Sequence, residues 1–157
     1  MPAQLERESP LLQSWVSFLR AHAAAIRQAN ADLIAAHGLT LNDYEVLLRL
    51  ARADDRRLRR VDLVNQVLLT PSGITRLLNG LEKAGYVDRA QCESDARVTY
   101  AVLTNAGYEK LREAGPTHLE SIHVLFGERF NEEELETLGS LLGRLSGGPD
   151  SEECLPE

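Results

Sequence analysis

"LLTPSGITRLLNGLEKAGYVDR", Leu68 to Arg89, is the stretch on which the reading of this chain turns. Thr70-Pro71 is a helix start: a capping hydroxyl, then a proline whose missing N–H is of no consequence at the first helical position. From there Ile74, Leu77, Leu78 and Leu81 fall at i, i+3, i+4 and i+7 and form one apolar face. Ser72, Thr75, Arg76 and Asn79 repeat that spacing on another face. The apolar face belongs in a core. The polar face carries short hydrogen-bonding groups and a guanidinium, the chemistry a helix needs to read base edges and phosphates in a major groove. Gly85 closes the helix.

Such a helix is unexpected in a chain of net charge -7, but that total hides a division. From Arg49 to Arg97 ten basic residues stand against seven acidic ones, while the remainder carries seven basic against 17 acidic. Basic charge sits in the middle and acidic charge at the ends, as in a DNA-reading lobe with a separate scaffold. The 157 residues, 43% hydrophobic and 26% charged, fit one folded domain. No apolar run is long enough to span a bilayer and "MPAQLERESP" lacks the pattern of a signal peptide, so a cytoplasmic location is expected. Cys92 and Cys154 are too few for a disulfide framework.

N-terminal to the opening stretch, Pro10 to Ala36 reads as one long helix, with Ser9 as N-cap and Gly38 as C-cap. Leu11, Trp15, Phe18, His22, Ile26, Ala29 and Leu33 form its stripe, and its length calls for a partner, most simply a second copy of the chain. Thr40 to Ala53 is a second helix, capped by Thr40 or Asn42, with Tyr44, Leu47, Leu48 and Ala51 inward. Charged "DDRRLRR" interrupts, and a short third helix runs from about Val61 to Leu68 on Leu63, Val64 and Val67, with no evident N-cap. C-terminal to the opening stretch, "YVDRAQ" and "RVTYAVL" are strand-like, with "CESDA" as the hairpin tip. Thr104 caps a fifth helix reaching about Phe126 along Leu111, Leu119, Ile122 and Phe126, kinked or interrupted at Gly115-Pro116. Asn131 with Glu134 has the spacing of a capping box for a last helix along Leu135, Leu138, Leu142 and Leu145, followed by an acidic tail.

Helix, short helix, capped helix and two-stranded hairpin is the winged helix-turn-helix order, a mainly α fold with one helix for the major groove and a hairpin for an adjacent groove or the backbone. At "DLVNQVLLTPSGITRLLNGLEKAGYVDR", the "DAR" of Asp95 to Arg97 and the following "LTNAGYEKL", the sequence resembles the MarR (multiple antibiotic resistance regulator) family of bacterial transcription factors. The motif match runs from about Asp62 to Leu111, and the element order agrees along nearly the whole chain.

The resemblance implies a single domain over residues 1–157: dimerisation helices at 10–37 and 104–147, a DNA-binding lobe at 40–103, and a tail at 148–157. It makes Ser72, Thr75, Arg76 and Asn79 the DNA-facing positions of the recognition helix. Arg97 would enter the minor groove, with Asp95 orienting it or a neighbouring arginine. Paired recognition helices would lie about one DNA turn apart on a roughly palindromic double-stranded operator. Family members often bind aromatic or phenolic anions, metals or oxidants that loosen the hold on DNA. A repressor relieved by such an effector is the implied function, with Trp15, His22, Tyr44 and Arg49 as candidate lining residues.

Each of these residues also has a plainer role. Arg59 and Arg60, in "RRLRR", either contact phosphate or form a solvated loop. Trp15 suits an interface or core as well as a ligand site. His118 and His123, five apart, point about 140° from each other and make no metal pair. Cys92 lies at the hairpin base or tip with no resolving cysteine near in sequence. No cofactor is implied, and no phosphate-cradling loop, nucleophile elbow or paired metal signature suggests an enzyme. A winged-helix module that binds protein, and a DNA binder without a ligand, remain as alternatives.

Overall fold

The computed structural model describes residues 9–67, 71–92 and 94–145. The Thr70 cap, Leu68, Cys154 and the tail at 148–157 lie outside the described residues. In chain order the elements are α1 (Pro10–His37), α2 (Leu41–Arg52), β1 (Arg57–Arg59), α3 (Arg60–Gln66), α4 (Pro71–Lys83), β2 (Val87–Gln91), β3 (Thr99–Leu103), α5 (Asn105–Ile122) and α6 (Glu132–Gly143). This is a helix-turn-helix with a hairpin wing between flanking helices. The chain divides into two compact units at Ser121–Ile122.

Local chemistry sets most boundaries in the first unit. Gly38, at φ 67, ends α1 in the left-handed conformation that glycine adopts without a Cβ clash. Ser9 precedes α1 but its side chain makes no capping bond. Thr40, rather than Asn42, caps α2: its Oγ1 accepts from the Asp43 N–H at 3.1 Å and the Asp43 carboxylate accepts the Thr40 N–H at 2.8 Å. Asn30 Oδ1 takes the Leu41 N–H at 2.8 Å, so α1 also satisfies an orphan donor at the start of α2. The core joins Leu33, Val46, Leu47, Leu50, Leu63, Ile74, Leu78 and Leu103. The sequence pattern finds Leu47 but omits Val46 and Leu50, because α2 is buried on more than a narrow stripe.

Among the described residues the sheet has three strands where the sequence suggested two, in the order β1-β3-β2, all antiparallel. The charged run "RLR" pairs Leu58 with Ala101 on the free edge of β3, turning Leu58 inward while Arg57 and Arg59 stay outside. Three residues with one apolar side chain give too little periodicity to read as a strand; the ladder of β3 imposes the conformation. Asp55 and Arg56, both with φ near 50°, turn the chain into it. α3 consequently starts at Arg60 and has no side-chain cap.

α4 ends in a pair of reverse bonds around Gly85: its N–H donates to Glu82 O and the Tyr86 N–H to Leu81 O, both at 3.0 Å. The turn is then fastened to α5. Thr104 N–H donates to Tyr86 O at 3.1 Å and the Thr104 hydroxyl to Gly85 O at 2.7 Å, while that hydroxyl accepts from Gly107 N–H at 3.0 Å. Gly107 lies against the Tyr86 carbonyl oxygen so closely that a Cβ there would collide with it. The "LTNAG" glycine is thus set by backbone approach.

α5 runs through Gly115-Pro116 as one helix, so of the kink or interruption expected there the interruption does not occur. A proline removes one helical bond, and the neighbouring turns are held to α1 by Ser121 Oγ on Asp32 at 2.7 Å and by His37 with Thr117 at 2.7 Å. His118 packs on Tyr44 with ring centroids 4.5 Å apart, and its Nδ1 is buried with no hydrogen-bond partner among the described residues. Burial pushes the His118 pKa below 6.5 and raises that of Tyr44, the latter opposed by Arg52.

In the second unit the expected helix to Phe126 becomes a π-turn over His123–Gly127, with Glu128 N–H bonded to His123 O. Asn131 and Glu134 form the reciprocal capping box that opens α6. Its apolar seam is covered only in part: Leu135 and Leu138 are half-buried, while Leu142 is 38% exposed and Leu145, past the helix end, 71%.

Gly107→Ala should destabilise the chain by about 2 kcal/mol or more through the forced backbone shift. Gly80→Ala, where a Cβ meets open space in mid-helix, should be neutral or stabilising by up to about 1 kcal/mol. Urea denaturation compares the two, and equal effects would contradict the packing argument. His118 also predicts a pH dependence. Unfolded, it protonates below about 6.5; folded, it resists, so stability is complete above that pH and falls below it. His118→Gln should lose less stability than the wild type between about pH 7.5 and about pH 5.5, and equal losses would remove His118 from the account.

Candidate nucleic-acid interface

α4 buries Ile74, Leu78 and Leu81 and half-buries Leu77, which leaves Ser72, Thr75, Arg76 and Asn79 exposed on the opposite side. The amphipathic division read from the sequence is therefore the division of the folded helix. Packing of the apolar face fixes the rotation of α4 and hence the direction of the polar row.

The wing continues from β2 and β3, paired from Val87 with Leu103 to Gln91 with Thr99. Ala101 and Leu103 face the core. At the far end Cys92 N–H donates to Val98 O and Val98 N–H to Asp95 O, both at 3.0 Å. Asp95 Oδ1 accepts the Arg97 backbone N–H at 2.9 Å, so the carboxylate shapes the main chain that carries Arg97. Asp95 and Arg97 are both exposed. Cys92 lies where β2 gives way to the tip, its Sγ 3.1 Å from Ser94 Oγ, and these contacts push its pKa below the usual thiol value.

The arginine run divides by role. Arg56 lies 4.1 Å over the Tyr108 ring and Arg57 lies 5.3 Å over that of Tyr100, also pairing with Asp55 at 3.5 Å. Arg59 is exposed beside Tyr100, which favours its charged form. Arg60 turns instead toward α4, its Nη1 3.3 Å from Glu82 Oε1. Glu82 holds a second cation, Arg89 of β2, at 3.1 Å, and Arg89 reaches Asn79 Oδ1 at 3.4 Å. Burial and the neighbouring Arg89 push the Arg60 pKa down while Glu82 raises it. Glu82 and Arg89 are absent from the sequence reading of the site. Their signal is faint: Glu82 follows Thr75 and Asn79 around α4 by seven and three residues, but its role depends on β2 returning beside it.

The four candidate effector residues separate into two groups. Trp15 and His22 sit on the exposed N-terminal half of α1, bridged by Phe18 at 6.4 Å and 6.3 Å. Tyr44 is in the lobe's core and Arg49 is half-buried on the same helix. At about 1.5 Å of rise per residue, His22 lies about 12 Å along α1 from Asn30, where α2 begins to pack. Among the described residues no cluster of three or more His, Cys, Asp or Glu side chains could hold a metal, and no helix is long and apolar enough to cross a membrane.

Comparison with known proteins agrees with this architecture. Residues 37–98 match the family model described as MarR family. The HTH-type transcriptional repressor YetL of Bacillus subtilis (strain 168) is 33% identical over 116 residues, 71% of this chain and 69% of that protein. Two MarR family regulators of Streptomyces coelicolor superpose over most of their length. Sco3205, crystallised in complex with DNA, has a TM-score of 0.81 at 30% identity, covering 90% of this chain and 89% of its own. AbsC has a TM-score of 0.80 at 32% identity, covering 88% and 93%. The chain belongs to the MarR family of DNA-binding transcriptional regulators and is not an enzyme.

Proposed function

We propose that this chain is a sequence-specific repressor that works in the cytoplasm as a homodimer on a roughly palindromic double-stranded operator, and that a small-molecule effector weakens its grip. The observation that carries the DNA reading is the row Ser72, Thr75, Arg76 and Asn79, exposed on α4 in the same lobe as a wing carrying Arg97. In this reading α4 enters the major groove, where Arg76 and Asn79 meet base edges and the two hydroxyl side chains meet phosphate or base acceptors. Arg97, on a tip shaped by Asp95, reaches the minor groove, while Arg59 contacts the backbone. Arg60 supports the site from behind α4. The DNA complex of the Sco3205 relative and the repressor name of the Bacillus subtilis relative favour the same conclusion.

Dimerisation is supported by what the chain leaves uncovered. Leu11 is 78% and Trp15 56% exposed on α1, with Phe18, Leu19 and Ile26 following. Leu119, Leu141 and Leu142 add exposed apolar area on α5 and α6. Residues 10–37 and 104–147 are thus the proposed dimerisation segments and residues 40–103 the DNA-binding lobe, within one MarR-like domain. An aromatic or phenolic effector is the favoured class, with Trp15 and His22 or Tyr44 and Arg49 as its contacts.

Selection from random-sequence duplexes should enrich one roughly palindromic motif, and affinity for it should fall by more than about tenfold between 50 and 200 mM salt. Enrichment of no motif would defeat the proposal and favour a protein-binding module. Arg97→Ala should weaken binding about tenfold with unchanged thermal stability, and unchanged affinity would take Arg97 out of the site. In sedimentation the wild type should have the mass of two chains and Trp15→Glu should shift it toward one. A wild-type monomer would contradict the paired reading.

A further inference from the structure

Where α4 meets the wing, one carboxylate holds two guanidinium groups. Glu82 Oε2 is 3.1 Å from Arg89 Nη2 and Glu82 Oε1 is 3.3 Å from Arg60 Nη1. The three come from three different elements: Arg60 opens α3, Glu82 is near the end of α4 and Arg89 is on β2. Glu82 and Arg60 are largely covered, with 24% and 17% of their side chains exposed, while Arg89 is half-exposed at 51%. Arg89 Nη2 also donates to Asn79 Oδ1 at 3.4 Å.

A carboxylate on the DNA-facing lobe opposes the approach of a polyanion, so its charge alone weakens binding. Glu82 nevertheless draws together two cations that would repel, and the pair retains one net positive charge beside the polar row. The bond from Arg89 also orients Asn79. With Oδ1 taken by a guanidinium, the amide turns its Nδ2 donors to the other side, and a donor end seeks acceptors such as purine N7 or a phosphate oxygen. Without this restraint the amide is free to flip and present either end.

We infer that Glu82 is a positioning residue for sequence discrimination: through Arg89 it sets the donor end of Asn79 toward DNA and links the angle of the wing to that of α4. The inference rests on the DNA-binding reading above. It has an unusual sign, because removing a negative charge should worsen specific binding to DNA while improving non-specific binding.

The test measures affinity for two 30-bp duplexes at fixed salt, the one most enriched by the wild-type chain from a random library and one of the same composition in shuffled order. Glu82→Gln keeps the size and removes the charge. It should bind the shuffled duplex about twofold more tightly and the enriched duplex about tenfold less tightly. If both affinities rise together, Glu82 contributes only bulk charge and the inference is overturned. If both fall together, it contributes only to folding, and the inference is likewise overturned. Arg89→Gln provides a second arm that does not depend on how Glu82→Gln folds: it should lower the ratio of enriched to shuffled affinity about tenfold, and an unchanged ratio defeats the proposal. In the double variant the ratio should fall no further than the roughly twentyfold of Glu82→Gln alone, since both changes break one linkage, and a loss near the product of the two single losses overturns the inference. A wild type that does not distinguish the two duplexes overturns the functional reading itself, a result separate from any behaviour of the variants.

Discussion

The candidate surface formed by α4 and the wing depends on one backbone contact, the Tyr86 carbonyl oxygen that receives the Thr104 N–H and lies against Gly107. On one side of it α4 has just ended in the Gly85 turn; on the other, β3 has just ended and α5 begins. The contact therefore fixes three directions at once: the exit of α4, the open end of the hairpin and the start of α5. Thr104 adds a bond to Gly85 O and caps Gly107 with the same hydroxyl. Each bond contributes only about 1 kcal/mol, but together they leave the hairpin little freedom to rotate against α4. Because of this, the polar row of α4 and the tip at Arg97 can act as one surface.

Charge is arranged around that frame so that it does not undo the fold. Arg56 and Arg57 spread over tyrosine rings and Arg60 is matched by Glu82, whereas Arg59, Arg76 and Arg97 remain exposed. Arg89 is half-exposed, so its pairing with Glu82 contributes little stability, and the role inferred for that pairing is geometric. With ten basic against seven acidic residues from Arg49 to Arg97, the lobe has modest attraction for any polyanion. In the proposed dimer, discrimination comes from placement and from two-fold repetition more than from bulk charge.

The fold was legible wherever periodicity and capping chemistry coincided. The two faces of α4, the Asn131 capping box and the Gly85 and Gly38 terminations follow from residues close in sequence, whereas the choice of Thr40 over Asn42 as the cap of α2 needed the structure. What escaped depends on partners far along the chain. β1 is a strand only because β3 offers an edge, and Val46 is core because α2 is covered on more than one side. α5 survives Pro116 because α1 holds the turns beside it, and Arg89 joins the site only when β2 folds back on Glu82. The spacing of Ser72, Thr75, Arg76 and Asn79 made the candidate face readable; the network behind it was not, since no local rule links Arg60, Glu82 and Arg89.

The central claim is that two copies of this lobe read one duplex together. Hydroxyl-radical footprinting on an enriched duplex tests it most directly. The account predicts two protected patches related by two-fold symmetry, with centres about one helical turn, roughly 10 bp, apart. A single asymmetric patch, or protection spread evenly along the duplex, would contradict it.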